Sequence, residues 1–178
     1  MHMRMPAVPG EEDIPAQERF TDFLDENALA KGHDYFDLGD YEISPTNRLV
    51  AYSIDTVSRR QYEIRFRDLT AGEELPDVIT RTSGGGAFAD DKTFFYSRKD
   101  KTLRSFKVFR HVLGTDPEND VEVFHEKDKA FSCDVYRSRS DKYITIATDS
   151  TLSSEHWLLP VSDPLGTFFV FLPREAEH

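Results

Sequence analysis

The sequence predicts an all-β chain of about three four-stranded antiparallel blades, and three observations predict it. The first is alternation. Tyr62, Ile64 and Phe66 are apolar while Glu63, Arg65 and Arg67 beside them are charged, the period of a strand with one face on a core and the other toward solvent. The second is repetition. Asn47 leading into Leu49-Val50-Ala51-Tyr52-Ser53 returns as Asp91 leading into Thr93-Phe94-Phe95-Tyr96-Ser97, and again as Asp141 leading into Tyr143-Ile144-Thr145-Ile146-Ala147. The third is spacing. Tyr52 and Tyr96 lie 44 residues apart and Tyr96 and Ile146 lie 50 apart, against roughly 40 to 50 residues for a propeller blade. Periodicity alone leaves an ordinary antiparallel sandwich open beside the propeller.

In chain order, residues 1–18 read as a flexible N-terminal segment or one left by cloning, since Met1-His2-Met3-Arg4-Met5 resembles an expression start. Residues 19–178 form the partial propeller. Between Glu11 and Lys31, Phe20, Phe23, Leu24 and Leu29 have the only helix-like spacing; the pattern is short and weakly capped, and an extended strand from Phe20 to Leu24 competes with it. The run from Gly32 to Asp40 leads into the first blade, its Asp and Gly residues shaping turns while Tyr35, Phe36 and Leu38 plug the flank of the sheet. A ligand loop is the functional alternative there.

Blades are expected over about 41–80, 86–126 and 131–173. Asp68 to Glu73 has the Asp and Gly of a hairpin corner. Phe106 to Val112 and His156 to Val161 repeat the strand of Tyr62 to Phe66, and Val121 to Phe124 and Phe168 to Leu172 are outer strands. Ser83-Gly84-Gly85-Gly86 is expected to be a flexible turn between blades. Tyr52 and Tyr96, at equivalent positions of successive blades, should both be buried.

Composition excludes several functions. The chain has 178 residues with 14 Phe and 7 Tyr, enough bulky apolar surface for one folded domain. Its 22 Lys and Arg against 33 Asp and Glu give a net charge of −11, which repels a phosphate backbone, so no nucleic-acid partner is expected. Cys133 stands alone and forms no internal disulfide, which fits a cytoplasmic protein. No stretch reaches the ~20 apolar residues of a membrane span, and the N-terminus lacks the apolar core of a signal peptide.

Chemistry is sparse. The chain contains no Gly-x-Ser-x-Gly elbow, and the glycines at 84–86 precede a strand and open no helix, unlike a phosphate loop. Asp116, Glu118 and Asp120 begin like a calcium loop, but Val121 and Lys127 occupy its sixth and twelfth positions, so a solvated hairpin tip after Gly114, over Thr115 to Asn119, is the better reading. The six histidines form no His-x-x-x-His pair. No catalytic, cofactor-binding or metal-binding residue is assigned.

Longer phrases carry more. Leu24-Asp25-Glu26-Asn27-Ala28-Leu29-Ala30 runs on to Gly32-His33-Asp34-Tyr35-Phe36, followed by Gly39-Asp40-Tyr41-Glu42-Ile43-Ser44-Pro45, Asp55-Thr56, Arg59-Arg60-Gln61-Tyr62 and Asp68-Leu69. Thr102-Leu103-Arg104, His111-Val112-Leu113-Gly114-Thr115-Asp116, Tyr136-Arg137-Ser138-Arg139-Ser140, Ser153-Ser154-Glu155 and Pro173-Arg174-Glu175 continue the series. In this order they resemble oligopeptidase B (protease II), of the prolyl oligopeptidase family, over nearly all of Leu24 to Glu175. Ser58 stands where that family usually has a turn glycine, Ser105 where it has proline and Phe88 where it has tryptophan.

The resemblance implies a two-domain serine peptidase in which a seven-bladed propeller caps an α/β-hydrolase domain carrying Ser, Asp and His. Members cleave short peptides after Lys or Arg; the cap excludes folded proteins, and the acidic specificity residues lie mainly in the hydrolase domain. This chain looks like the first three blades and has none of the catalytic positions, so its expected partners are the hydrolase domain and, for the parent, short basic peptides. No cofactor is implied. A free-standing β-sheet protein-binding module is the alternative, distinguished by whether the reading frame continues past His178. Three blades also leave sheet faces uncovered, with Tyr143, Ile144, Ile146, Trp157, Leu159, Phe169 and Phe171 as candidates on the third, so the chain is expected to self-associate.

Overall fold

The computed structural model describes residues 2–4 and 21–175. His2–Arg4 (β1) pairs antiparallel with Thr21–Leu24 (β2), so three residues of the segment expected to be flexible belong to a ribbon. The remainder of 1–18 lies outside the described residues. Strand and helix, which compete in the sequence, occur in succession: β2 ends at Leu24 and a short helix, Glu26–Ala30 (α1), follows. Asp25 between them has an extended backbone, and its carboxylate accepts the Asn27 and Ala28 amides at 3.0 and 3.3 Å, the cap that a short helix needs.

The first blade begins with Asp37–Ile43 (β3), ahead of the expected boundary at 41. Phe36 and Leu38 pack against a core of Phe23, Leu24, Val50, Tyr52 and Ile54, but Tyr35 precedes the strand and is 41 % exposed. It lies outside that core. Leu49–Asp55 (β4) follows and is buried along its whole length. Its two faces serve two cores: Val50, Tyr52 and Ile54 meet the N-terminal ribbon, while Leu49 and Ala51 meet the next blade. Tyr62–Asp68 (β5) completes this part, and the Asp68 carboxylate accepts the Thr70 and Ala71 amides at 2.8 and 2.9 Å to shape the expected hairpin corner.

Glu73–Phe88 (β6) then runs for 16 residues. Its first part pairs with β5, from Glu73 opposite Asp68 to Thr82 opposite Tyr62. Its last part pairs with Thr93–Lys99 (β7), Gly86 opposite Tyr96 and Phe88 opposite Phe94. The outer strand of the first blade is therefore also the inner strand of the second, and seven strands join in one sheet. The flexible turn expected at Ser83–Gly86 is instead a register shift inside a packed strand. Gly84 has φ +105°, and a Cβ at Gly86 would lie 2.4 Å from the Phe94 ring; glycine lets the strand pass where a side chain would collide.

Ser105–Val112 (β8) and Val121–His125 (β9) complete the second blade, with a 3₁₀ turn at Pro117–Asn119 in the connection. Ser132–Arg137 (β10), Tyr143–Asp149 (β11), Ser154–Pro160 (β12) and Phe169–Leu172 (β13) form the third as a separate four-stranded sheet. Each strand pairs with its neighbours in sequence, and the sheets stack in chain order through successive cores. That is a propeller arc.

Tyr52 and Tyr96 are 1 % and 0 % exposed, as their equivalence requires. Each hydroxyl donates to a carboxylate near its blade's outer strand, Tyr52 to Glu74 and Tyr96 to Asp120, both at 2.9 Å. On the third blade the structure divides the expected uncovered residues. Ile144, Ile146 and Leu159 point at the second blade and are buried. Trp157 packs at the edge of that core, and Phe169 and Phe171 stand exposed on β13. Alternation decides this: Ile144, Ile146 and Leu159 share the face that the second blade covers.

Candidate functional site: inner strands and blade seams

Three inner strands converge. A Cβ placed on Gly85 of β6 would lie 3.8 Å from Asp40 Oδ2 of β3 and 3.9 Å from Asp134 Oδ1 of β10. Three blades thus contribute to one narrow space, and two of them contribute carboxylates. The other oxygen of Asp40 accepts the Tyr41 amide at 2.8 Å, and the Val135 amide donates to Asp134 Oδ1 at 2.9 Å. Burial, assisted by the charges of Asp40 and Asp149, raises the Asp134 carboxyl above the ordinary range despite the Val135 amide.

Glu42, two residues along β3 from Asp40, is pushed up to about 7 by burial and then by the Asp40 charge, with Arg137 opposing. Burial comes first in raising both carboxyls; the neighbouring carboxylates add a lesser part, which a cation entering the space would offset. The sequence did not single out Asp40, Glu42 and Asp134 as a group. Asp40 and Asp134 are 94 positions apart, and only closure of the blades brings them together.

Cys133 and His111 are both engaged in packing or buried contacts. Burial pushes the Cys133 thiol up to about 12, so it is a packed apolar group of the second seam and a poor nucleophile. His111 is buried with Nδ1 2.8 Å from Asp120 Oδ1 and Nε2 3.0 Å from Asp77 Oδ1. Sequence analysis missed this cluster, although Phe109 and His111 of β8 alternate with Leu113 just after it and a signal was available. Asp120, just past the expected tip of Thr115 to Asn119, is the buried partner of His111, while Asp116 and Glu118 belong to the exposed 3₁₀ turn. Among the described residues, no three His, Cys, Asp or Glu side chains converge as a metal site requires.

Residues 2–178 match the family described as "Prolyl oligopeptidase, N-terminal beta-propeller domain". A dipeptidyl aminopeptidase BI of Pseudoxanthomonas mexicana is 44% identical over 99% of this chain and 26% of its own length. A protease 2 of Moraxella lacunata is 30% identical over 80% of this chain and 21% of its own. Among solved structures, oligopeptidase B from Trypanosoma brucei, with covalently bound antipain in a closed form, superposes with a TM-score of 0.83 at 32% identity, covering 98% of this chain and 24% of that one. The chain spans about a quarter of the length of these relatives.

Proposed function

Because the chain belongs to the N-terminal β-propeller domain family of the prolyl oligopeptidases, we propose that it is the capping part of a cytoplasmic, oligopeptidase B-like serine peptidase that cuts short peptides after Lys or Arg. The observation that carries the basic-peptide reading is the acidic inner lining, Asp40, Glu42 and Asp134, which favours entry of cationic side chains. The propeller then selects by size and orients a peptide over a nucleophile held by a separate α/β-hydrolase domain.

The chain alone is expected to be inactive on an Arg-Arg chromogenic peptide, and turnover lost on mutating one of its own serines would refute that. The gene beyond both ends is the direct test: a frame continuing for about 500 residues, by ordinary domain sizes, with a Gly-x-Ser-x-Gly elbow is expected. In that full-length enzyme, Asp40→Asn with Asp134→Asn should raise KM several-fold for a dibasic substrate and leave kcat nearly unchanged. An unchanged KM would remove the axis from substrate selection.

The second reading, a protein-docking module, draws on β13, where Phe169, Val170, Phe171 and Leu172 are all exposed. An apolar edge strand invites pairing with another copy of the chain. Light scattering across a concentration series should find self-association of the isolated arc through its uncovered sheet faces; a strictly monomeric, cooperatively unfolding species would instead favour the free-standing binding module.

A further inference from the structure

The seam between the first two blades contains a buried charge cluster. Asp77 lies on the part of β6 that pairs with β5, whereas His111 and Asp120 belong to the second blade. The side chains of His111, Asp77 and Asp120 are 0 %, 3 % and 2 % exposed. A neutral imidazole has one N–H and one bare nitrogen, so with a carboxylate oxygen at each ring nitrogen one contact would oppose two lone pairs. Water cannot reach the ring to relieve it. Only the imidazolium donates to both.

The surroundings suit that state. Gly114 N donates to Asp77 Oδ1 at 2.7 Å, Tyr96 of β7 donates its hydroxyl to Asp120 Oδ2, and the ring stacks on Phe66 of β5 at 5.8 Å. The charged groups around His111 are Asp77 from β6, Asp120 from the β8–β9 connection and, beyond Tyr96, Arg98 of β7, whose guanidinium lies 5.5 Å from the Tyr96 ring centre. Glu118 of the same connection is exposed and pairs with Arg81. The facing residue of β5 is uncharged.

We propose that His111 is a proton-dependent clasp: protonated, it locks the outer strand of the first blade to the second, and its deprotonation as pH rises loosens this seam while the second seam stays closed. Burial alone would depress the ring's pKa, but the hydrogen bonds and charges of Asp120 and then Asp77 outweigh it and hold it above 6.5. The clasp's contribution to stability is therefore complete below 6.5 and is lost as pH rises through the raised folded-state value.

Nitrogen-15 NMR of the histidine rings in the intact chain tests the protonation directly. Both His111 nitrogens should show the imidazolium signature at pH 6.5, and the ring should lose its proton with a midpoint above 6.5. A neutral single tautomer at pH 6.5, with a midpoint at or below 6.5, would overturn the proposal. Hydrogen exchange tests the mechanical part. Between pH 6.5 and the midpoint, amides of Val78 to Thr80 should gain up to about tenfold per pH unit beyond the intrinsic increase and level off above it, while those of Val135 and Ile146 should not. Simultaneous opening of both seams would also overturn it. Asp77→Asn should move the midpoint down; if that variant does not fold, the wild-type NMR and exchange profiles still decide.

Discussion

The two seams of this arc solve one problem by different means. At the first, the chain never leaves the sheet: β6 crosses from one blade to the next as a continuous strand. The interface then has only to be filled, and Phe66, Phe88 and Phe94 fill it with edge-to-face contacts at 6.0, 5.2 and 4.9 Å. The buried Asp77–His111–Asp120 cluster sits beside them. At the second seam β9 and β10 are joined by a loop, residues 126–131, and the core is largely aliphatic: Val135, Ile144, Ile146 and Leu159 with Cys133.

A loop fixes little, so arginines do the fixing. Arg137 Nη1 donates to the Phe88 and Ala89 carbonyls at 2.7 and 3.0 Å, and Arg104 Nη1 to the Asp128 and Phe131 carbonyls at 3.0 and 2.7 Å. Where the backbone itself bridges two blades, side chains are free to carry shape and charge. Where it does not, charged side chains must hold backbone carbonyls across the gap.

The largest expected effect lies in the first seam. Tyr96→Ala removes a fully buried ring that stacks on Phe109 at 5.7 Å and deprives Asp120 of a donor, and should cost about 3 to 5 kcal/mol in urea unfolding. Tyr52→Ala, its equivalent against the N-terminal ribbon, should fall in the same range. A cost under about 1 kcal/mol for either would mean that its site collapses around the loss. Arg137→Ala strikes the second seam and should cost less, about 1.5 to 3 kcal/mol, because two carbonyls lose a charged donor but little apolar surface is exposed. Equal losses at Tyr96 and Arg137 would contradict the division of labour between the seams.

Much of this architecture is legible in the sequence because strands announce themselves by period. Tyr62, Ile64 and Phe66 fix β5, and the three Asn- or Asp-led repeats fix β4, β7 and β11 to within a residue or two of their observed ends. The crossing at Ser83–Gly86 was not legible. Three glycines carry no alternation, and glycine serves both a loose turn and a strand pressed against Phe94. The acidic lining was hidden for another reason: β3 and β10 place Asp40 and Asp134 in one space only through the curvature of the whole arc. His111 was legible in part, since it occupies an apolar position of β8, but its partner Asp77 comes from another blade.

A smaller effect should appear in the lining. Glu42 has a carboxyl raised from 4.5 to about 7, so the folded state holds its proton more tightly than the unfolded chain does. Its contribution to stability is present below 4.5 and is lost as pH rises to about 7. Glu42→Gln should therefore flatten the fall in melting temperature between those values and leave the variant more stable than the parent at pH 8. An unaltered pH profile would place the Glu42 carboxylate in solvent.

The smallest effect concerns a turn outside both seams. Ser58, where the family usually has glycine, adopts φ +58°. The Asp55 carboxylate enforces this loop by accepting the Val57, Arg59 and Arg60 amides at 2.9, 2.9 and 2.7 Å, so Ser58 cannot relax without breaking them. A non-glycine residue in the left-handed region costs roughly 1 to 2 kcal/mol, and glycine returns about 0.4 to 1 kcal/mol of that as unfolded-state entropy. Ser58→Gly should thus stabilise the chain by about 0.5 kcal/mol, the difference between those opposing effects. Ser58→Ala keeps the Cβ and with it the strain, so it should bring no gain. If alanine stabilised as much as glycine, the benefit would come from losing the hydroxyl, and backbone strain at Ser58 would not be its source.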